Sequence, residues 1–108
     1  MRKSQRPDGN QDDIIARYKA HGATVEVVSH FKSWDLNVGV AKVTDMVEVK
    51  DPSQRKADQK LTKNEQNLHD SWAGSPIRIV RTIDDVDAHV ADMRKRGYSC
   101  PPLQVDRP

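Results

Sequence analysis

Asp35, Glu48 and Lys50 have the residue types and the spacing that phosphate chemistry needs. Glu48 and Lys50 stand two apart in the stretch Asp45-Met-Val-Glu-Val-Lys50, which reads as a strand. Strand side chains alternate, so both point to one face, with Cα atoms about 7 Å apart. Charges at positions that should be buried are costly without partners. A hairpin turning around residues 40–43 would supply one, because a turn centred between 41 and 42 sets Asp35 opposite Glu48. Two adjacent carboxylates repel each other. A divalent cation relieves that repulsion, and hard oxygen donors of this kind suit Mg²⁺ or Mn²⁺. The Lys50 ammonium would offset further charge, orient or activate a water, and stabilise a pentacovalent phosphate in the transition state. In the plain alternative, Asp35 is a polar strand-entry residue. Glu48 and Lys50 are then an exposed ion pair worth about 0–1 kcal/mol.

The elements that must position these groups follow from local signals. Residues 1–9 carry Pro7 and Gly9 without an apolar pattern and read as a flexible N-terminus. Asn10 is a candidate cap for a first helix, with Asp13 at its third position, Ile14, Ile15 and Tyr18 as its apolar side, and Gly22 as its stop. Three strands follow, over 23–31, 34–41 and 42–50. Pro52 and its polar neighbours make a loop. Thr62 and Glu65 then form the capping box of a second helix, with Leu68 and Trp72 on one face. Residues 76–81 read as a fourth strand. Thr82 and Asp85 open a third helix striped by Ile83, Val86, Val90 and Met93 and ending before Gly97. The order α-β-β-β-α-β-α predicts an antiparallel meander and a crossover to a fourth strand, a mixed four-stranded sheet flanked by helices. A single domain over 10–97 and an irregular tail over 98–108 complete the expected organisation.

Composition bounds the function. A chain of 108 residues with a net charge of +2 fits one domain and is not basic enough overall to argue for nucleic acid. No apolar run approaches the ~20 residues of a membrane span, and the basic start lacks the apolar core of a secretory signal. Cys100 is the single cysteine, which excludes an intrachain disulfide framework and a cysteine-rich zinc site. A reducing, cytoplasmic setting is the expectation. Charge is concentrated between 50 and 63, where Lys50, Arg55, Lys56, Lys60 and Lys63 face only Asp51 and Asp58. That stretch is either a solvated loop or a phosphate-facing one.

With these residues in place, the chain resembles the VRR-NUC branch of the PD-(D/E)XK nuclease superfamily, in its small phage and bacterial form. The resemblance rests on the Asp35-Leu-Asn-Val-Gly39 stretch, Glu48-Val-Lys-Asp51 and Leu61-Thr-Lys-Asn-Glu-Gln66, followed by His69, Trp72 and the 78–81 strand, and spans roughly residues 8–90. It implies a restriction-endonuclease-like αβββαβ core with a C-terminal helix. It also implies a Mg²⁺- or Mn²⁺-dependent endodeoxyribonuclease. Asp35 and Glu48 would bind the metal with the Val49 carbonyl, Lys50 would be the motif lysine, and Gln66 would lie near the site or the DNA backbone. Asp13 would be the acid supplied by the first helix, although an acid in a first turn is also favoured by the helix dipole. Lys60, Lys63, Arg55 and Lys56 would contact DNA. Similarity to Holliday junction resolvases implies a branched substrate and a homodimer, since two sites related by a two-fold axis can cut two strands.

The chain departs from the family pattern at Trp34, which stands where the motif has Pro. That departure favours a second reading, a DNA-binding or assembly module with the nuclease fold and little or no catalysis. A restriction-like or mismatch nuclease is a third. Trp34 and Trp72 fit core or interface roles better than base stacking. His21, His30 and His89 lack ligand spacing, and His69 shares a helix side with Gln66.

Overall fold

The computed structural model describes residues 10–54 and 60–99, with backbone alone for 98 and 99. The chain runs α1 (Gln11–Ala20), β1 (Thr24–Val27), β2 (Leu36–Val40), β3 (Val43–Val49), α2 (Lys63–Ser71), β4 (Arg78–Val80) and α3 (Ile83–Ser99). This is the predicted order. The four strands form one mixed sheet in the order β1-β2-β3-β4. β1–β2 and β2–β3 are antiparallel, and β4 is parallel to β3 after the α2 crossover. No helix among the described residues is long and apolar enough to cross a membrane.

The β2–β3 hairpin closes through Ala41 and Lys42, with Val40 paired to Val43 and Leu36 to Val47. A two-residue turn that matches the twist of its strands needs both central residues in the left-handed region. Ala41 (φ 52°) and Lys42 (φ 69°) are both there, without the glycine or asparagine usual at such positions. The strain is held in place by α3. A Cβ on Gly97 would lie 2.3 Å from the Ala41 carbonyl oxygen, so the helix passes the turn only because that residue is glycine. Gly97 therefore lies inside α3 rather than ending it, and the helix continues to Ser99.

Strand parity separates two faces. Leu36, Val38, Val47 and Val49 are fully buried on one face, against Ile14 and Tyr18 of α1 and Val86, Val90 and Met93 of α3. Each such side chain contributes roughly 1.5–3 kcal/mol of burial. The same face buries Asp45, a charged residue in an apolar row. The His89 Nε2 lies 2.7 Å from Asp45, and the Tyr18 hydroxyl 2.7 Å from His89 Nδ1. A neutral His89 donating from Nε2 and accepting from Tyr18 satisfies all three groups. Arg96 adds two bonds to the Asp45 carboxylate, at 3.1 and 2.5 Å. Burial raises the pKa of Asp45, but His89 and Arg96 outweigh it and hold the carboxyl well below its ordinary value. This chain of contacts ties α1 and α3 to β3.

Local signals fared unevenly. The Thr62 capping box is complete: Thr62 Oγ1 accepts from the Glu65 N–H and Glu65 accepts from the Thr62 N–H. Thr82 and Asp85 form the same reciprocal pair. Asn10 precedes α1, but its side chain does not cap it. Its Nδ2 donates instead to the Lys50 and Arg81 carbonyls, at 3.3 and 2.7 Å, joining the start of α1 to the ends of β3 and β4. Trp72 falls just past α2, with extended backbone, and is 49% exposed, so it does not share a helix face with Leu68.

Candidate active site

The second face of the sheet carries the polar residues. The hairpin register places Asp35 beyond the last paired residue of β2, level with Glu48, as the turn position predicted. The backbone fixes Asp35 on both sides: its N–H donates to the Val47 carbonyl (3.1 Å) and its carbonyl accepts from Val28 (2.8 Å). Its Oδ2 accepts from the Val49 N–H at 2.8 Å, so the side chain continues the ladder where β2 has ended. A strand residue directs its N–H and C=O to the same edge. The Val49 carbonyl therefore faces the Asp35 side, where a third oxygen donor is expected.

Glu48 and Lys50 are not an exposed pair. Glu48 is 3% exposed and Lys50 7%. The Lys50 Nζ lies 3.3 Å from Glu48 Oε2 and 3.4 Å from Glu65 Oε1. Glu65 was legible in the sequence only as a helix cap. It is 9% exposed, and its Oε1 also accepts the Thr62 N–H at 2.8 Å. The capping box thus aims a carboxylate from α2 at the sheet. A lysine sits between two buried carboxylates.

The electrostatics follow from crowding. Burial pushes the Glu48 carboxyl up to about 9, assisted by its hydrogen bond to Glu65 and the charges of Asp35 and Glu65, against the pull of Lys50. Burial also raises Asp35, opposed by the Val49 N–H. Burial pulls Lys50 down, but Glu48 and Glu65 hold it above its ordinary value. Burial likewise raises Glu65, yet its bonds to Glu48, the Thr62 N–H and Lys50 bring it below normal. The metal-free cluster thus favours the protonated form of Glu48. Its Oε1 is buried with no hydrogen-bond partner.

That orphaned oxygen is the test of fit for a cation. A buried acceptor without a donor is destabilising by about 1–3 kcal/mol, and a cation would satisfy it. Among the described residues no three His, Cys, Asp or Glu side chains form a metal cage. The donors available are Asp35, Glu48 and the Val49 carbonyl. Two carboxylates completed by waters are the pattern Mg²⁺ prefers over an all-protein cage.

Other expected site residues lie elsewhere. Asp13 is exposed on α1. Asn10, three residues earlier, is the α1-side residue that reaches β3. Gln66 is turned away from Glu48, its amide donating to Asp70 at 2.8 Å, because Glu65 takes the sheet-facing position of that turn. Gln66 lines a neighbouring cleft of about 660 Å³ with Lys60, Lys63, His69, Ile79 and Arg81. Ile79 pairs with Glu48 across β3–β4, so this basic cleft borders the cluster. Arg55 and Lys56 lie outside the described residues. A second cleft, of about 340 Å³, opens directly on Asp35 and Glu65 and is walled by Lys32, Trp34, Thr62 and Asn64.

No family model, no curated protein and no solved structure matches the chain. The functional reading therefore stands on the geometry of this cluster.

Proposed function

We propose that the protein is a divalent-metal-dependent endodeoxyribonuclease of the PD-(D/E)XK type, in the VRR-NUC branch. The observation that carries this reading is the convergence of Asp35, Glu48 and Lys50 at adjoining strand ends, with a buried Glu48 oxygen left without a donor. Asp35, Glu48 and the Val49 carbonyl would hold Mg²⁺ or Mn²⁺. When bound, the ion supplies Lewis-acid polarisation of the phosphate and stabilises the leaving oxygen.

The chain's own groups do the rest. With its carboxylate neighbours neutralised, Lys50 is free to turn from Glu48 and Glu65 towards the attacking water or the phosphate. Glu65 limits how far the ammonium travels, since the capping box fixes its carboxylate. Lys60, Lys63 and Arg81 flank the cluster on one side and Lys32 on the other, a cationic frame that favours the backbone of DNA. A small domain offers little surface to grip DNA, which favours a homodimer and a branched substrate such as a Holliday junction. Such an enzyme would act in the cytoplasm of a bacterial or phage-infected cell.

A second reading is favoured by one contact. Asp35 Oδ2 already serves the Val49 N–H, so the aspartate also fits a purely structural role in a DNA-binding or assembly module. Incubation with branched and linear DNA in Mg²⁺, Mn²⁺ or EDTA separates the two. Metal-dependent cleavage that Glu48→Ala and Lys50→Ala abolish supports the nuclease. Cleavage surviving both substitutions excludes this site, and tight binding without cleavage favours the module.

A further inference from the structure

We propose that the β1–β2 loop, residues 29–34, is a stacking subsite for an unpaired base of single-stranded DNA beside the Asp35–Glu48 cluster. The inference rests on the reading of that cluster as a DNA site and names the substrate feature it selects.

The loop is short and pinned. Its ends are joined by the Val28–Asp35 backbone bond, and its first turn by bonds from the Phe31 and Lys32 N–H groups to the Val28 carbonyl, both 2.9 Å. Its last residue is followed directly by Asp35, so the tip cannot be far from the cluster. Phe31 stands on this fixed backbone 80% exposed. An isolated exposed apolar residue is ordinary, but Phe31 is not isolated in type. The His30 ring meets it edge-on at 6.3 Å, and the Lys32 ammonium lies 6.0 Å from the Trp34 ring. Trp34 is fixed in turn by its Nε1–H donating to Asn37 at 2.7 Å.

Aromatic faces alternating with cations are the means by which proteins hold single strands: bases stack on the rings while the cations follow the phosphates. Lys32 and Trp34, which follow Phe31 in the loop, wall the cleft that opens on Asp35 and Glu65, so a strand stacked on the loop can run on into that cleft. A base inside a duplex has both faces occupied by its neighbours and cannot use such a platform. The subsite therefore selects strands that expose a base at a branch, flap or single-stranded end. Trp34, anomalous as a replacement for a motif proline, is accounted for as part of this wall.

The test uses the full chain in EDTA, so that binding is read without cleavage. Anisotropy is measured for a labelled single strand and for the same sequence as a blunt duplex, with 2-aminopurine in the strand as a stacking reporter. Wild type is expected to bind the single strand more tightly than the duplex and to quench 2-aminopurine. Phe31→Ala should weaken single-strand binding about 5- to 100-fold and abolish the quench, with duplex binding unchanged. Phe31→Trp should restore both. Equal binding of strand and duplex by wild type, or a Phe31→Ala variant that keeps the preference and the quench, overturns the proposal. Because no metal is present, failure of cleavage elsewhere leaves this outcome intact. Conversely, a wild type that lacks the stacking preference yet cleaves in a Glu48-dependent way overturns the subsite alone.

Discussion

Glu48→Gln should stabilise the metal-free protein at neutral and alkaline pH. Burial and its carboxylate neighbours push the Glu48 carboxyl from an ordinary 4.5 up to about 9. A group raised in this way contributes its full stability below about pH 4.5 and loses it as pH climbs towards about 9. Between 4.5 and pH 7 lie about 2.5 pH units, each about 1.4 kcal/mol, so at most about 3.5 kcal/mol is lost by pH 7. Glutamine has the shape of the protonated acid and stays neutral at every pH. Its amide can donate to Asp35 or Glu65 as the acid proton does. The variant should therefore exceed wild type at pH 8 and converge on it near pH 5. Urea unfolding from pH 5 to pH 8 in EDTA measures the difference. Thermal melts give a second readout, at roughly 4–8 °C per kcal/mol for a domain of this size. A variant less stable than wild type at pH 8, or a gap that does not narrow on acidification, would refute the proton-sharing cluster.

Three further substitutions test the scaffold. Asp45→Asn should cost about 1–3 kcal/mol in urea unfolding, because it removes the charged acceptor that His89 and Arg96 share, while Arg96 keeps Asp92. It should also remove part of the acid sensitivity. The Asp45 pKa is depressed, so its contribution is present above about pH 4 and is lost as pH falls further. Gly97→Ala should lower stability by about 1–3 kcal/mol, since its Cβ would collide with the Ala41 backbone; chemical denaturation reads this directly. Lys42→Gly should raise stability by up to about 1 kcal/mol by relieving the left-handed strain, seen as a higher denaturation midpoint at constant slope.

The sequence showed the site's frame better than its neighbours. The strands read over 34–41 and 42–50 and the turn centred between 41 and 42 set Asp35 level with Glu48, as the register has it. These are properties of one hairpin, legible because pairing is local. Glu65 was hidden by its other role. A capping glutamate satisfies the pattern on its own, and nothing in the sequence says the helix will be laid against Lys50. Asp13 and Gln66 lie apart from the acids for the same reason in reverse, Asp13 exposed on α1 and Gln66 in the basic cleft that borders the cluster. Each has the right type on the right helix, but the rotation of that helix is fixed by distant packing. Asp45, His89 and Tyr18 are far apart in the chain and share no spacing rule. Only the assembled fold brings them into line. Asn10 had the right identity for a cap, yet the bonds its Nδ2 donates to the Lys50 and Arg81 carbonyls hold the side chain where its Oδ1 accepts nothing from α1.

The tight reversal at Ala41–Lys42 has a consequence for how this protein tolerates change. Side-chain direction flips with every residue added to one arm of a hairpin. A single residue inserted into either paired arm, 36–40 or 43–47, would send one acid to the apolar face and leave the other where it is. An insertion of the same size between Ser29 and Ser33 would leave their opposition untouched. Length variation is thus permitted in the β1–β2 loop and forbidden in the arms, so the loop can change while the pair of acids stays in phase.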